Sequence, residues 1–197
     1  MKFTIATALL SGTALANPLS TRQATMSTFT REVTNVRGEG CPNPASLIVD
    51  FPSDKSVVVT LRNQIASIGR GVSEEDRERD CTFTLRVRTP AGAHTVNAVS
   101  QIIGGFTQAT NTGAEGYIWR NHVYDGASLT RETKYTSFGG TQGIIETDNV
   151  RVSTNLNTEQ VIDYTFSSRV RLQRTFDQNA EANITQSVYT LSLADQS

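Results

Sequence analysis

The sequence predicts an all-β protein: an antiparallel β-sandwich or jelly-roll-like fold in a single domain. Apolar and polar residues alternate over many short runs, and Gly, Pro or Asp-Gly turn signals separate those runs. Only 37% of the residues are hydrophobic and 19% are charged, and Thr, Ser, Asn, Gln and Gly fill much of the remainder. That composition suits sheets with one solvated face, and 197 residues is the size of one domain.

The alternation is clearest at residues 81–88, where Cys81, Phe83, Leu85 and Val87 share one face. It is longest at residues 162–172. Further strands are predicted at residues 46–51, 57–61, 95–103, 116–123, 129–138, 143–152 and 184–193. Turn signals in the gaps include Pro52-Ser53-Asp54-Lys55, Gly104-Gly105, Asp125-Gly126 and Gly139-Gly140.

Residues 1–16 predict a cleaved signal peptide. Lys2 supplies the positive start, residues 3–10 are apolar, and Ala14-Leu15-Ala16 is a cleavage site that leaves Asn17 first. The apolar stretch is too short to span a bilayer, and the polar C-terminus carries no lipid-anchor tail, so no membrane insertion is expected. The protein is therefore expected to be secreted, in the extracellular space or in a cell wall.

Residues 17–37 are polar and rich in Thr and Ser. They predict an N-terminal leader ahead of a β-sandwich domain over residues 38–197. The alternative is that residues 29–36 already form a first edge strand.

Cys41 and Cys81 predict a structural disulfide, because an even pair of cysteines on an oxidising route usually forms a bridge. Closing a loop across 40 positions stabilises a fold by about 4 kcal/mol in the chain-entropy account. The alternatives are a zinc site and a redox pair. Two cysteines without a nearby histidine do not make a metal site.

The formal net charge is −1, and loss of Lys2 with the signal peptide lowers it to −2. Such a chain has no basic field to attract nucleic acid, so no nucleic-acid partner is expected. The dense charge run at residues 74–80 predicts a solvated loop with internal ion pairs. A calcium loop is the alternative, but Arg77 and Arg79 interrupt its carboxylates. No metal and no cofactor are predicted.

No catalytic motif is evident. His94 and His122 lie in no triad-like or metal-ligand spacing, and each is expected on the surface or at a sheet edge. A glycan-active hydrolase or lyase remains an alternative, because it needs only two carboxylates from distant parts of the chain. The acidic residues considered for that pair are Glu115, Asp125, Glu132, Glu146 and Asp163.

Tyr117, Trp119 and Tyr124 form the candidate ligand surface. Tyr117 and Trp119 share one strand face and could stack on a sugar ring, whereas ordinary core packing is the alternative. Asn183-Ile184-Thr185 is an N-glycosylation sequon placed just before the last predicted strand, so Asn183 is a candidate glycan acceptor.

The segment Gly38-Glu39-Gly40-Cys41-Pro42 resembles the G-x-G-C-P opening of the domain of unknown function 4360 family of small secreted fungal and plant proteins. The Gly69-Arg70-Gly71 turn, Gly105-Phe106 and Arg169-Val170-Arg171-Leu172 are similar to later parts of that family's pattern, over roughly residues 36–193. Many members carry a second cysteine pair, which this chain lacks. The resemblance implies a secreted β-sandwich and brings no reaction, ligand or catalytic residue.

The leading hypothesis is a non-enzymatic extracellular or wall-associated binding or structural module, with cell-wall polysaccharide or an extracellular protein as partner. The alternatives are the hydrolase or lyase described above and a secreted effector that binds a protein. An effector would be marked by an exposed apolar patch above a few hundred Å².

Overall fold

The computed structural model describes residues 30–53, 56–89, 96–108, 113–124, 126–136, 140–152, 160–175 and 179–195. The predicted signal peptide, most of the predicted leader, His94 and Asp125 lie outside these residues. The described residues form β-strands and two short 3₁₀ turns, at Pro44–Ser46 and Glu75–Arg77. In this part of the chain no helix has the length and apolarity that a bilayer crossing requires.

The described residues form eleven strands in two antiparallel sheets, which confirms the predicted β-sandwich. The first sheet, sheet A, has the order β1-β5-β10-β7-β8, and sheet B has the order β2-β3-β11-β6-β9 with β4 also paired to β11. The strands are β1 (Thr30–Arg37), β2 (Leu47–Ser53), β3 (Ser56–Leu61), β4 (Ile65–Ile68), β5 (Glu78–Thr89), β6 (Val96–Gln108), β7 (Ala114–Tyr124), β8 (Ala127–Thr136), β9 (Gly140–Val152), β10 (Gln160–Arg174) and β11 (Ala182–Asp195).

Three parts of the chain differ from expectation. Of the two alternatives for the segment before the sandwich, the structure has the edge strand, because β1 begins at Thr30 and pairs with β5 inside the segment assigned to the leader. The short strand β4 was not predicted. Pro52 was predicted in a turn but lies within β2, at a pairing irregularity with β3. Since β2 is an edge strand, the missing proline N–H costs no ladder hydrogen bond.

The predicted turn at Gly104-Gly105 is wrong, because β6 continues through both glycines to Gln108. Opposite them β11 has a bulge, with an irregular register between Gln186 and Val188. A Cβ at Gly104 would lie 2.1 Å from the carbonyl oxygen of Thr185. Here glycine marks a close approach of two backbones in mid-strand.

Gly104→Ala is therefore expected to destabilise the fold by about 2 kcal/mol, because the added methyl must push β6 away from β11. Gly143→Ala is the matched control in the neighbouring strand, since nothing lies within 4 Å of a Cβ there. Its effect should stay within about 0.5 kcal/mol. Urea unfolding of both variants measures the difference, and equal midpoints would contradict the close-approach argument.

Cys41 and Cys81 form the predicted disulfide, with Cα atoms 5.2 Å apart and both residues fully buried. The glycines before Cys41 let the chain lie flat against β5. Gly38 has φ +121°, and a Cβ there would sit 2.4 Å from the carbonyl oxygen of Asp80. The amide of Gly40 donates to that same carbonyl at 2.8 Å. The two glycines of the G-x-G-C segment therefore let this turn pack closely against β5 beside the disulfide.

Two apolar clusters fill the space between the sheets, and polar residues separate them on several strands. On β10, Phe166 belongs to the first cluster, Val170 belongs to the second, and buried Ser168 lies between them. On β11, Gln186 separates the two clusters in the same way. The polar residues of this interior layer are Gln64, Arg120, His122, Glu146, Asp148, Ser168 and Gln186.

Gln64, in the connection between β3 and β4, links the two sheets through this layer. Its Nε2 donates to the hydroxyl of Ser168 at 2.8 Å and to the Ser168 carbonyl at 3.1 Å. Its backbone carbonyl accepts the amide of Gln186 at 3.1 Å. A fully buried amide with these partners is satisfied, so it fixes the relative position of β10 and β11.

Candidate functional site

The outer face of sheet A carries the two aromatic residues that the sequence singled out. Along β7 the side chains alternate, with Ile118 fully buried and Tyr117 and Trp119 half-buried on the opposite, outward side. The core-packing alternative for these two aromatics is therefore wrong. We call Tyr117 and Trp119 the aromatic platform.

Charged side chains from both neighbouring strands contact the platform. The guanidinium carbon of Arg171 on β10 lies 4.8 Å from the ring centre of Tyr117, and Lys134 Nζ on β8 lies 5.9 Å from it. Arg169 is placed similarly, 5.8 Å from the ring centre of Trp119. These cation–π contacts follow from the register, since Arg171 and Arg169 are the direct cross-strand partners of the two aromatics.

Glu115, two residues before Tyr117 on the same face, ties the platform together. It accepts the Tyr117 hydroxyl at 2.7 Å and pairs with Lys134 at 2.7 Å. The hydrogen bonds from Lys134 and Tyr117 hold the pKa of Glu115 below its usual range. The carboxylate is therefore ionised at neutral pH and serves to position the ring and the ammonium group.

Rows of hydroxyl groups cover the middle of the same face. Thr84 on β5 and Thr165 on β10 lie opposite each other with their hydroxyl oxygens 3.0 Å apart. In the adjacent row the Thr82 hydroxyl donates to that of Ser167 at 3.0 Å. Thr84 is buried, whereas Thr82, Thr165 and Ser167 are half-buried, so the face continues from the platform with these three hydroxyl groups.

Tyr124 does not join the platform, which corrects the three-residue prediction. It lies on the opposite, inward side of β7 and stacks on Tyr164, with ring centres 6.5 Å apart, against the first apolar cluster. The reason is parity. Tyr124 is an odd number of residues from both Tyr117 and Trp119, so a strand turns it to the other face.

His122 is wrongly predicted at the surface, because it is fully buried between the sheets. Its Nε2 donates to Asp148 at 3.0 Å, and its Nδ1 accepts the hydroxyl of Tyr164. Tyr164 in turn accepts the hydroxyl of Tyr189 at 2.9 Å. This direction of donation follows from the ionised carboxylate at one end, which can only accept.

Arg120 completes this interior network, which the sequence analysis missed. Its Nε donates to Asp148 at 2.7 Å, and its other nitrogens reach Thr133 at 3.1 Å and Glu146 at 3.4 Å. Tyr135 also donates to Glu146. The network joins β7 and β8 of sheet A to β9 of sheet B. The inward position of Arg120 could have been predicted from the sequence, since Arg120 is two residues from Ile118 on β7 and so lies on the same face of the strand.

Asp148 remains ionised in the interior. Burial alone would raise its pKa, but hydrogen bonds from His122 and Arg120 and the charge of Arg120 outweigh burial and hold the pKa well below its usual range. Burial raises the pKa of Tyr164 and Tyr189, which therefore keep their protons. Asp148 is therefore held as a carboxylate and Tyr164 and Tyr189 as neutral phenols, as expected of a structural element between two sheets.

The four carboxylates considered for a hydrolase that the structure describes do not converge on one site. Glu115, Glu132 and Asp163 lie on the outer side of sheet A, and Asp163 accepts Arg86 at 2.8 and 3.0 Å. Glu146 points inward toward Arg120. Its neighbour on that face, Asp148, has a lowered pKa, whereas a general acid for glycoside hydrolysis needs a raised one.

The charge run at residues 74–80 is internally paired. The hydroxyl of Ser73 donates to Asp76 at 2.8 Å, and Arg79 contacts both Asp76 and Glu39. In the described ranges, no three His, Cys, Asp or Glu side chains are grouped to hold a metal ion.

Among the cavities lined by described residues, two shallow ones flank the sheets. One, of about 330 Å³, lies at the end of sheet A beside Arg31, Arg86 and Arg88. The other, of about 290 Å³, lies beside Gly69 and the sequon residue Asn183. Asn183 is exposed, but it lies within β11 and not in the loop before it. Its glycosylation stays a prediction.

Fold and site together define an antiparallel β-sandwich protein with a half-buried aromatic platform on one sheet and a charged network between the sheets. The chain belongs to the family described as Domain of unknown function (DUF4360), which it matches over residues 27–194. This confirms the family predicted from the sequence. No curated protein shows significant sequence similarity to the chain.

Solved structures with similar folds include two carbohydrate-binding modules. One is TmCBM61 in complex with β-1,4-galactotriose, at a TM-score of 0.29 and 14% identity over 84% of this chain and 89% of that one. The other is the C-terminal CBM6 of LamC from Zobellia galactanivorans, at a TM-score of 0.28 and 12% identity over 80% of this chain and 99% of that one. A structure of infectious bursal disease virus, Gx strain, has a TM-score of 0.34 and 14% identity over 84% of this chain and 32% of that one. Likenesses at these TM-scores carry no argument about ligand or activity.

Proposed function

We propose that this protein is a secreted, non-enzymatic module that binds polysaccharide, outside the cell or in the cell wall, through the outer face of sheet A. The observation that carries the proposal is the aromatic platform itself. Two large aromatic side chains lie on the outward side of a strand whose opposite side is fully buried.

Aromatic rings on a sheet surface suit the apolar C–H faces of sugar rings, and a polysaccharide repeats such faces along its length. Tyr117 and Trp119 are two residues apart on one strand, which separates them by about 7 Å along β7. Two stacking positions at that separation contact neighbouring parts of one polymer chain. The half-buried hydroxyl groups of Thr82 and Ser167 extend the surface with groups that can donate to and accept from sugar hydroxyls.

The charged neighbours of the platform support the same function. Arg169, Arg171 and Lys134 pack along the two aromatic side chains and hold guanidinium and ammonium donors beside them. Such donors can bind the hydroxyl oxygens at the rim of a stacked sugar. Since Lys134 pairs with Glu115 and Arg169 pairs with Glu78, the surface also suits a neutral polymer.

The extracellular location is part of the proposal. It is supported by the signal-peptide pattern of residues 1–16 and by the Cys41–Cys81 disulfide, which is typical of proteins on an oxidising route. Mass spectrometry of protein recovered from the medium tests it, with an N-terminus at Asn17 expected. The same spectrum measures whether exposed Asn183 carries a glycan.

We expect the Tyr117→Ala/Trp119→Ala double variant to bind polysaccharide at least about tenfold more weakly than the wild type, because two stacking contacts are lost. The measurement is co-sedimentation of residues 17–197 with chitin, β-glucan and cellulose. Saturable depletion by at least one polymer is expected of the wild type.

Ile145→Ala is the matched control, because Ile145 is 68% exposed on the opposite sheet and should leave binding unchanged. Thermal melts establish that all variants are folded. Unchanged retention of a folded double variant would rule out the platform as the site. If no polymer depletes the wild type, the polysaccharide proposal fails and a protein partner becomes the better hypothesis.

A further inference from the structure

We propose that the outer face of sheet B is a self-association surface on which a second copy of this chain docks. We call it the isoleucine face, after its exposed residues Ile48, Ile65, Ile103 and Ile145. The proposal goes beyond polysaccharide binding, because the aromatic platform lies on the outer face of the other sheet. The charge, the shape and the area of the isoleucine face each support it.

Four neighbouring strands of sheet B, β3, β11, β6 and β9, present no charge on this face. Their acidic and basic residues within the spans considered are Glu146 and Asp148, and both point inward to Arg120. The outer face of sheet A, in contrast, carries several ion pairs. Depletion of charged residues is the compositional mark of the core of a protein interface. The spans are residues 56–60, 99–107, 141–149 and 183–192.

Branched aliphatic side chains cross the isoleucine face in one line. Ile103 on β6 lies directly opposite Ile145 on β9 and, on its other side, opposite Val188 on β11. Val188 lies opposite Thr60 on β3, which lies opposite Ile48 on β2. Ile103 and Ile145 are 38% and 68% exposed. The line leaves apolar surface in contact with water, and docking of another apolar surface would remove it.

Two glycines form a depression directly beside this line. Gly105 and Gly143 are cross-strand partners, and each is two residues from Ile103 or Ile145, so all four lie on the same outward side. No atom of the described residues lies within 4 Å of a Cβ placed at Gly143. The isoleucine face therefore combines projecting side chains with an open depression about 7 Å away along the strands.

This combination fits a second copy of the chain. A two-fold axis that runs across the strands, midway between the two rows, would place Ile103 and Ile145 of each copy over Gly105 and Gly143 of the other. An isologous contact sets a surface against itself, so an uncharged face also avoids repulsion between like charges. A foreign protein is selected largely by complementary charges, which the isoleucine face does not offer.

The area of the isoleucine face is sufficient for a specific dimer. Four strand spacings of about 4.8 Å and about eight residues at about 3.3 Å per residue give a face of about 19 by 26 Å. A contact of that size buries about 500 Å² of each copy and about 1,000 Å² in total, which is near the lower limit for a specific interface. We therefore expect a dissociation constant of about 10 µM.

A dimer formed in this way carries its two aromatic platforms on opposite outer sides. Three sheet-to-sheet spacings of about 10 Å would separate the two copies of sheet A by about 30 Å. This consequence rests on the proposed function, under which the dimer joins two polysaccharide chains. One polymer surface contacts only one of the two platforms, so the retention of each chain in co-sedimentation does not depend on the dimer.

The test is sedimentation velocity of the disulfide-bonded chain, residues 17–197, over concentrations that bracket about 10 µM. The chain carries Asn183→Gln, because Asn183 is exposed on β11 next to buried Ile184 and a glycan there would project from the isoleucine face. The expected result is a concentration-dependent equilibrium between monomer and dimer. No polysaccharide is present, so the result is independent of the aromatic platform.

Ile103→Arg should weaken the dimer at least about tenfold, because two-fold symmetry buries the added charge twice. Val123→Arg is the matched control. Val123 is 36% exposed on the outer face of sheet A, between its cross-strand partners Thr165 and Ser128, and its substitution should leave the dissociation constant unchanged.

Gly143→Asp is a second variant that the folded monomer should tolerate, since the space beside Gly143 is open. Its carboxylate would lie against Ile145 of the other copy, so it should also weaken the dimer at least about tenfold. Thermal melts establish that the variants are folded.

The proposal is overturned if the chain stays monomeric at concentrations about tenfold above the expected dissociation constant. It is also overturned if Ile103→Arg and Val123→Arg have equal effects, or if Gly143→Asp leaves the dimer unchanged. None of these results contradicts polysaccharide binding, because co-sedimentation tests the platform of the single chain.

Discussion

Replacement of Asp148 by Asn is expected to lower the free energy of unfolding by about 3 kcal/mol. Asp148 is 5% exposed and is the closest carboxylate partner of Arg120, which is 2% exposed. Removing one charge of a buried, hydrogen-bonded pair leaves the other charge uncompensated, and such changes cost about 3–5 kcal/mol of folding free energy. The retained amide oxygen keeps one acceptor for His122 or Arg120, so the lower end of that range is expected.

The matched control is Asp163→Asn, which removes a carboxylate of similar ion-pair geometry from the exposed outer face. Asp163 is 49% exposed in its side chain, so its pair with Arg86 should contribute less than about 1 kcal/mol. Guanidinium unfolding curves of the two variants give the comparison. A loss in Asp148→Asn no larger than that in Asp163→Asn would contradict the role given to the interior network.

Because of Asp148, the free energy of unfolding is also expected to depend on pH in the acid range. The folded-state pKa of Asp148 is lowered, so its contribution is fully present above the unfolded pKa of about 4 and is lost as pH falls toward the folded pKa. Each pH unit below about 4 should cost the wild type about 1.4 kcal/mol from this group. Asp148→Asn should have a correspondingly shallower slope between pH 4 and pH 2, and identical slopes would contradict the assignment.

Removal of the disulfide in Cys41→Ala/Cys81→Ala is expected to cost about 4 kcal/mol. The bridge closes a loop across 40 positions, and the chain-entropy relation gives that magnitude for the freedom regained by the unfolded chain. The loss of two buried sulfur atoms adds a smaller packing term. Urea unfolding measures the loss, and the slope with denaturant should increase because the unfolded state becomes more expanded.

The folded state of that double variant should otherwise be retained, because backbone bonds hold the same turn. Gly40 donates to Asp80, and Glu39 donates its amide to the Asp80 side chain at 3.1 Å. A destabilisation below about 1 kcal/mol would show that the unfolded chain is already restricted across this loop. Complete unfolding at 25 °C would show that the turn depends on the covalent bond.

Period-two alternation was sufficient to predict most of the sheets. Cys81, Phe83, Leu85 and Val87 all face the core as their spacing requires, and so does every apolar residue expected inward between Tyr164 and Leu172. The disulfide followed from cysteine number and the expected compartment. These are local signals, and local signals suffice where one face is buried and the other is solvated.

Features that depend on neighbouring strands could not be predicted. Gly104-Gly105 resembles a turn in the sequence, and only the bulge in β11 shows why a mid-strand glycine is needed. Strand β4 has four residues and no alternation long enough to detect. Pro52 is allowed in β2 because that strand lies at the sheet edge, which is a property of the sheet order.

The candidate sites were predicted only in part. The sequence placed Tyr117 and Trp119 on one face but could not tell which face was buried, and it grouped Tyr124 with them by proximity instead of parity. The position of His122 was missed because its partners, Asp148 and Tyr164, come from two other strands.

The inward carboxylates of β9 also bear on the tendency of the protein to aggregate through the edge of sheet B. Among the described strands β9 lies at the end of sheet B, so its outer backbone groups are not paired with another described strand. Glu146 and Asp148 point inward from that strand and are committed to Arg120. If β9 shifted by one residue to pair with a neighbouring molecule, these carboxylates would lose their contacts with Arg120, so the network discourages edge-to-edge aggregation.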